Sequence, residues 1–201
     1  TSPPARHGAS TVPFRVRYSD SSAGAMNYSP AASFEYFEEI SMSEVMPSRG
    51  PIKGGTVVTI VGKGFRAGKV LCSFNQSSLV TGKPVSSSLL LWQTPTAPSP
   101  GTVSVDLSND GVDFTGSVLD FVYDEAVTLS KISPETVSMG SGAMVTVAGT
   151  NMGGKQISCR FGSLAVVVST FHFSHGALCQ VPAGTRGNVS VSVSSNGVDF
   201  S

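Results

Sequence analysis

Residues 47–62 read PSRGPIKGGTVVTIVG, and residues 134–149 repeat that pattern as PETVSMGSGAMVTVAG at a shift of 87 residues. The same shift places Cys72 on Cys159 and Phe74 on Phe161. After one residue is lost in a Pro/Gly turn, residues 103–115 (VSVDLSNDGVDFT) lie on 189–201 (VSVSVSSNGVDFS). An internal period of this size indicates a chain built from similar structural units.

The repeat also predicts the organisation of the chain. An earlier, partial copy lies in the first 38 residues, where Phe14–Tyr18 and Phe34–Tyr36 echo parts of residues 103–123. We expect two strands there, around Phe14–Tyr18 and Ser33–Phe37, and we expect the parent chain to continue beyond both ends. The predicted domains are the C-terminal tail of a preceding repeat (1–38), a complete repeat (39–124), and a repeat truncated before its last strand (125–201).

Apolar and polar residues alternate along the predicted strands of each repeat. This period of two is typical of strands with one buried and one solvated face, and helical periodicity is absent. Asp110-Gly111 between apolar runs predicts a hairpin turn. The sequence therefore predicts antiparallel β-sandwiches, whose inward-facing residues are Val58, Ile60, Val103, Val105, Leu107, Val145, Val147, Val189, Val191 and Val193.

Charge and hydropathy exclude several classes of function. The 13 basic and 13 acidic residues balance, and the basic residues are scattered, so the chain lacks the electrostatic footprint of nucleic-acid binding. No run of about 18 apolar residues exists, so we expect no direct membrane insertion in this segment.

The repeated motifs carry a family resemblance. A Gly-Gly-Thr-x-Val-Thr-Ile-x-Gly-x-Gly-Phe run, a Cys-x-Phe, and an Asn-x-Gly-Val-Asp-Phe turn resemble the IPT/TIG domain. This module occurs in plexin-type receptors, in many surface proteins and in some transcription factors. The resemblance implies tandem immunoglobulin-like sandwiches of about seven strands each. It implies no catalytic residue, and the motifs weighed below predict no metal and no cofactor.

The resemblance also implies roles for the three cysteines. Cys159 and Cys179 stand where extracellular members often have a disulfide, and such a bond would place the chain in an oxidising compartment. The alternative is a pair of buried, reduced thiols. In the first full repeat Trp92 replaces the counterpart of Cys179, so Cys72 is expected to be an unpaired thiol packed against the indole. The alternative for Cys72 is an intermolecular bridge.

Three sequons are candidate N-glycosylation sites, provided that the protein passes through a secretory pathway. They begin at Asn75, Asn188 and Asn27. Asn75 is the strongest of the three. Asn188 adjoins a predicted strand, and Pro30 follows the Ser of the Asn27 sequon.

Two other motifs are better explained as loops than as sites. Gly149–Lys155 matches the first seven positions of a phosphate-binding loop, but Gln156 replaces the required Ser or Thr and a strand is predicted to follow. His172 and His175 are three apart on an extended segment, so they point to opposite faces and do not form a metal pair.

Two pairs of side chains with oxygen ligands are candidate calcium sites at a domain junction. They are Asp110 with Asp113, and Asn196 with Asp199. Each pair offers only two side-chain oxygens locally, whereas calcium takes six to eight oxygen ligands. Turn chemistry explains both pairs more simply.

The resulting hypothesis is a non-catalytic, extracellular or cell-surface module of a semi-rigid repeat array, acting in adhesion or structure. The short linkers at Glu38-Glu39 and Asp124–Ala126 favour this arrangement. Its expected partners are proteins or copies of itself, with glycans as further candidates. The alternatives are the stalk of a plexin-like signalling receptor and an accessory domain of a secreted polysaccharide-active enzyme. A transcription factor is the weakest alternative.

Overall fold

The computed structural model describes residues 10–19, 26–68, 70–75, 78–116, 119–138, 140, 142–153, 156–163 and 165–201. Every regular element in these residues is a β-strand, so the predicted all-β fold class is confirmed. None of the described residues forms a helix long and apolar enough to cross a membrane. The strands are β1 Ser10–Phe14, β2 Arg17–Ser19, β3 Met26–Tyr28, β4 Ala32–Tyr36, β5 Ser41–Met46, β6 Arg49–Pro51, β7 Val57–Lys63, β8 Val70–Phe74, β9 Ser78–Ser86, β10 Leu89–Gln93, β11 Gly101–Ser108, β12 Leu119–Asp124, β13 Thr128–Ser133, β14 Met144–Thr150, β15 Ser158–Phe161, β16 Ala165–Val168, β17 Phe171–Phe173, β18 Gly176–Gln180 and β19 Val191–Ser194.

Residues 1–40 form a compact unit of their own. Its described part has four short strands in two antiparallel pairs, β1 with β4 and β2 with β3. The prediction of two strands was therefore wrong. The two predicted strands are in place around Phe14–Tyr18 and Ser33–Phe37, but the first is interrupted at Arg15 and Val16, and Met26–Tyr28 folds back to pair with its second half.

The first repeat, β5–β12, is a sandwich in which β9 connects the two faces, and its strand pairs are antiparallel except for β6 with β12. Residues 78–82 of β9 pair with β8, and the rest of the strand pairs with β10. Gly82 lies at the point of this switch, where an added Cβ would lie within 2.8 Å of Leu90 and 3.1 Å of the Cys72 sulfur. A side chain at that position would therefore be forced into the core.

The strand β12 closes the first repeat. It lies between β11, with which it pairs antiparallel, and β6, with which it pairs in parallel. Its Phe121 and Tyr123 rings are buried and meet edge-to-face at 5.0 Å. The Tyr123 hydroxyl donates to the Pro95 carbonyl at 2.8 Å. These contacts fix the last strand between two neighbours.

The second repeat, β13–β19, has two sheets, with orders β13-β14-β18-β17 and β16-β15-β19. The long switching strand of the first repeat is divided here: β16 pairs with β15, and β17 pairs with β18. The buried core consists of Val127, Val145, Val147, Met152, Ile157, Cys159, Phe161, Ala177, Cys179 and Val193.

The predicted strand phase agrees with the structure at seven of the ten positions, which are buried: Val58, Ile60, Val105, Leu107, Val145, Val147 and Val193. Val103, Val189 and Val191 are only half-buried. The expectation of a solvated polar face is wrong at the strand ends, since Asp106, Ser108 and Ser194 are buried. Ser108 and Ser194 are buried because each hydroxyl organises the turn that follows.

Candidate functional site

The turn after β19 is built by Asn196. The Asn196 side-chain oxygen accepts hydrogen bonds from the backbone N–H groups of Val198 at 3.0 Å and Asp199 at 2.9 Å. The Ser194 hydroxyl oxygen accepts from the N–H groups of Asn196 and Gly197. Gly197 has φ = 77°, a conformation that suits glycine. These bonds leave the amide group of Asn196 and the carboxylate of Asp199 available for contacts outside the turn.

Both groups contact the first repeat. The Thr56 hydroxyl donates to Asp199 Oδ2 at 2.6 Å, and the Asn196 amide donates to the same oxygen at 2.7 Å. The Asn196 amide also donates to the Arg49 carbonyl oxygen at 3.0 Å. Two of these three hydrogen bonds join the repeats, and we call the set among Arg49, Thr56, Asn196 and Asp199 the inter-repeat contact.

The first-repeat side of the contact is held in place by its own bonds. Thr56 is fully buried, and its N–H donates to the Thr94 hydroxyl at 3.1 Å. Arg49 forms an ion pair with Asp124, at 2.8 Å between Nε and Oδ2. Asp124 is the last residue of β12, so this ion pair connects Arg49 to the point where the chain leaves the first repeat.

The linker between the repeats is similarly fixed. The Asp124 carbonyl accepts from the N–H of Ile52 at 2.9 Å. The Ala126 carbonyl accepts from the Asn151 side chain at 3.0 Å, and Val127 is buried in the core of the second repeat. The connection therefore has little slack in the structure.

The equivalent turn of the first repeat has the same pattern of backbone hydrogen bonds, but it has a carboxylate where the second repeat has an amide. Asp110 replaces Asn196 and accepts from the N–H groups of Val112 and Asp113 at 2.8 and 2.9 Å. The hydrogen bond from the Asp113 N–H, followed by that from Val112, lowers the pKa of Asp110. A carboxylate has no N–H to donate, so Asp110 cannot reproduce the bond from Asn196 to Arg49 O. The predicted hairpin turn at Asp110-Gly111 spans residues 108–114, since Leu107 pairs with Thr115 across it.

Sequence reasoning placed Asn196 and Asp199 in a turn but missed their contact with Arg49 and Thr56. The signal in the sequence was that the first-repeat residues of this contact differ from their counterparts in the second repeat. By the repeat alignment, Arg49 and Thr56 correspond to Thr136 and Ala143, which lack the guanidinium and the hydroxyl.

The structure places the cysteines as follows. A disulfide joins Cys159 to Cys179, with 6.4 Å between their Cα atoms. Cys72 is a buried free thiol, and burial raises its pKa to about 12 from the ordinary 9.0. Trp92 packs edge-to-face on Phe74 at 4.8 Å in the same core.

The three sequon asparagines are exposed. Asn75 follows β8 with φ = 48°, Asn188 precedes β19, and Asn27 lies in β3. Gln76 and Ser77 of the first sequon lie outside the described residues. Glycosylation at these sites stays a prediction.

The remaining candidates lie apart from the inter-repeat contact. The stretch that resembles a phosphate-binding loop begins at Gly149, which lies within β14, and the strand β15 follows it. Gly154 and Lys155 lie outside the described residues. His172 and His175 are exposed, and His175 Nδ1 lies 2.8 Å from the Ser174 hydroxyl. Across the described part of the chain, no group of three His, Cys, Asp or Glu residues is arranged to hold a metal ion.

Comparison with known proteins gives the class of protein. The IPT/TIG domain model matches residues 41–123 and again 128–201. The chain therefore belongs to the IPT/TIG domain family, in tandem copies, as the sequence motifs predicted.

Plexins are among the proteins that this chain resembles. The chain is 30% identical to Plexin A3 of Danio rerio over 113 residues, which is 56% of this chain and 6% of that protein. It is 29% identical to human Plexin-A4 over 118 residues, again covering 6% of that protein. The chain thus spans a small part of these relatives.

A solved structure of the full extracellular region of Plexin A4 matches the fold of this chain with a TM-score of 0.51, at 22% identity, over 92% of this chain and 16% of that one. The plexin relatives and the disulfide support the predicted extracellular or cell-surface location.

Proposed function

We propose that this chain is a non-catalytic module of an extracellular array, in which consecutive IPT/TIG repeats are held in a semi-rigid arrangement for adhesion or structure. The observation that carries the proposal is the inter-repeat contact, in which Thr56 donates to Asp199 Oδ2 and Asn196 donates to the Arg49 carbonyl oxygen. Bonds across a domain boundary limit the relative motion that a short linker alone would permit.

The chemistry of the contact supports a defined angle between the repeats. The Thr56 hydroxyl is buried, and hydrogen bonds to a charged acceptor contribute about 1.5–3 kcal/mol each. The Asn196 amide divides its two N–H groups between Asp199 and the Arg49 carbonyl. The bonds from Thr56 to Asp199 and from Asn196 to the Arg49 carbonyl both cross between the repeats and need the turn in one position, so rotation of the second repeat would break them together.

A second candidate is the stalk of a plexin-like receptor, and the plexin relatives favour it. In both roles the repeats space and orient a binding region, and the partners are proteins or copies of the chain, with glycans as further candidates. The two roles differ in what the rest of the polypeptide carries. A cytoplasmic signalling domain on the same polypeptide would favour the receptor.

Nuclear magnetic resonance relaxation of backbone 15N tests the proposal on the intact chain. We expect amides of β7 and β14 to report the same rotational correlation time, because the two repeats tumble together. Asp199→Ala removes the shared acceptor and should separate the two values. Asp113→Ala is the matched control, since Asp113 is the exposed counterpart of Asp199 in the first repeat.

Different correlation times for β7 and β14 in the unaltered chain would refute the semi-rigid array. Equal values that persist in the Asp199→Ala variant would show that the linker, and not the inter-repeat contact, fixes the arrangement.

A further inference from the structure

One dipeptide of the inter-repeat contact carries a chemistry of its own. Of the six asparagines in the sequence, Asn196 alone is followed by a glycine. In an Asn-Gly pair the backbone nitrogen of the glycine can attack the side-chain carbonyl carbon of the asparagine, because glycine has no Cβ to hinder the approach. Asn196 is half-buried and Gly197 is exposed, so water reaches the pair. The pair therefore has the composition and the solvent access that deamidation needs.

Deamidation converts an asparagine to an acid with water as the one co-reactant. The Gly197 nitrogen forms a bond to Cγ of Asn196, the Cγ–Nδ2 bond breaks, and the proton of the Gly197 N–H leaves with the amide group as ammonia. Water then adds to one of the two carbonyl carbons of the resulting succinimide ring, and the ring opens. The product is an aspartate or an isoaspartate, in which the main chain runs through the side-chain carbon.

The inter-repeat contact restrains the reacting groups. The Gly197 N–H, which must lose its proton, donates to the Ser194 hydroxyl at 3.0 Å. The Asn196 amide, which must leave, donates to the Arg49 carbonyl oxygen at 3.0 Å and to Asp199 Oδ2 at 2.7 Å. Movement of the side chain into the reactive geometry would break these bonds. The reaction is therefore slow in the closed contact and proceeds in molecules whose contact has opened locally.

The first repeat indicates that the turn itself accepts the product. Asp110 stands in the position of Asn196, and its Oδ1 accepts from the N–H groups of Val112 and Asp113 and from the Ser108 hydroxyl. Oδ1 of Asn196 accepts from the equivalent three groups of its own turn. An aspartate at position 196 would keep these bonds, so the turn would stay folded.

The bonds that the product loses are those of the Asn196 amide. A carboxylate has no N–H to donate, so the bond to the Arg49 carbonyl oxygen is lost. A carboxylate oxygen would instead face the carboxylate of Asp199, where the amide nitrogen now lies 2.7 Å from Oδ2, and two like charges at that separation repel. Isoaspartate also lengthens the main chain of the turn. Both products therefore disfavour the inter-repeat contact.

We propose that Asn196 is a deamidation site that the closed inter-repeat contact protects, and that its conversion to an acid prevents the contact from closing again. The inference rests on the proposed function, because it requires the contact to hold the two repeats together. It gives the junction a one-way change from a fixed to a mobile arrangement, at a rate set by how often the contact opens.

The rate of deamidation in the full 201-residue chain tests the protection. Thr56→Ala removes the hydroxyl that donates to Asp199 and leaves the sequence of the turn unchanged. We expect peptide mapping by mass spectrometry, after incubation in water enriched in oxygen-18, to find reaction at Asn196 about tenfold or more faster than in the unaltered chain. Thr102→Ala, at an exposed threonine of the same repeat, is the matched control and should leave the rate unchanged.

A second control places the same dipeptide in the turn of the first repeat. Asp110→Asn creates an Asn-Gly pair where, among the described residues, the side chain bonds only within its own turn. The asparagine introduced there should react faster than Asn196 in the same molecule. Equal rates at positions 110 and 196 would overturn the proposal, and so would an unchanged rate at Asn196 in Thr56→Ala.

Asn196→Asp reproduces one product and tests its consequence. The rotational correlation times of β7 and β14, measured by 15N relaxation, should separate in this variant and stay equal in Asp110→Asn. Equal times in Asn196→Asp would overturn the proposal and leave the semi-rigid array intact. Different times in the unaltered chain would instead refute the proposed function, and this inference with it, so the two failures are distinguishable.

Discussion

At the scale of single residues, Cys72 illustrates how burial determines reactivity. Its thiol is fully enclosed in the first repeat, and desolvation raises its pKa to about 12. A thiolate is the reactive form of cysteine, so the native thiol is inert at neutral pH. This environment favours the buried, unpaired thiol over the alternative of an intermolecular bridge.

The raised pKa predicts a loss of stability in alkali. A free thiol in the unfolded chain ionises near pH 9.0, whereas the folded thiol resists ionisation until about 12. The contribution is therefore fully present below pH 9 and is lost as the pH rises towards 12. We expect the free energy of unfolding by urea to fall by about 2.5 kcal/mol between pH 8 and pH 11 because of Cys72.

The control for this prediction is Cys72→Ala, which should lower stability at pH 8 but remove most of that alkaline loss. Tyr123 also has a raised pKa, about 12, mainly because of desolvation, so Tyr123→Phe measures the part due to the phenol. An unchanged pH dependence in Cys72→Ala would contradict the assignment.

At the scale of strands and turns, the period of two predicted seven buried apolar residues of the core correctly and three that are only half-buried. It could not predict that polar residues at the strand ends are buried, because their burial depends on the turn that follows. Ser108 and Ser194 are both fully buried, and each hydroxyl accepts backbone N–H groups from its turn. The division of one switching strand into β16 and β17 likewise depends on packing that a local pattern does not contain.

The buried serine predicts a measurable cost for losing its hydroxyl. Ser194→Ala leaves the N–H groups of Asn196 and Gly197 without their acceptor, so we expect a loss of about 1–3 kcal/mol in the free energy of unfolding by urea. Ser190→Ala, on an exposed residue, is the matched control and should change stability by less than about 0.5 kcal/mol. Equal effects of the two substitutions would show that the turn does not depend on this hydroxyl.

At the scale of the whole molecule, the internal repeat predicted the family and the sandwich fold because both leave local motifs in the sequence. The domain boundaries at residues 38/39 and 124/125 stay predictions. The inter-repeat contact was not predictable from motifs, because Thr56 and Asp199 are 143 residues apart and belong to different repeats. Only folding of both repeats brings the donor and acceptor together.

The central claim is that the two full repeats hold one relative orientation, and a distance between them measures this most directly. Val85 and Val166 are exposed and lie in different repeats, so cysteines at these positions can carry spin labels. The buried Cys72 should stay unlabelled, and Cys159 and Cys179 are paired. Double electron–electron resonance on the full chain should give a single narrow distance distribution. A broad or multi-peaked distribution with both repeats folded would contradict the account.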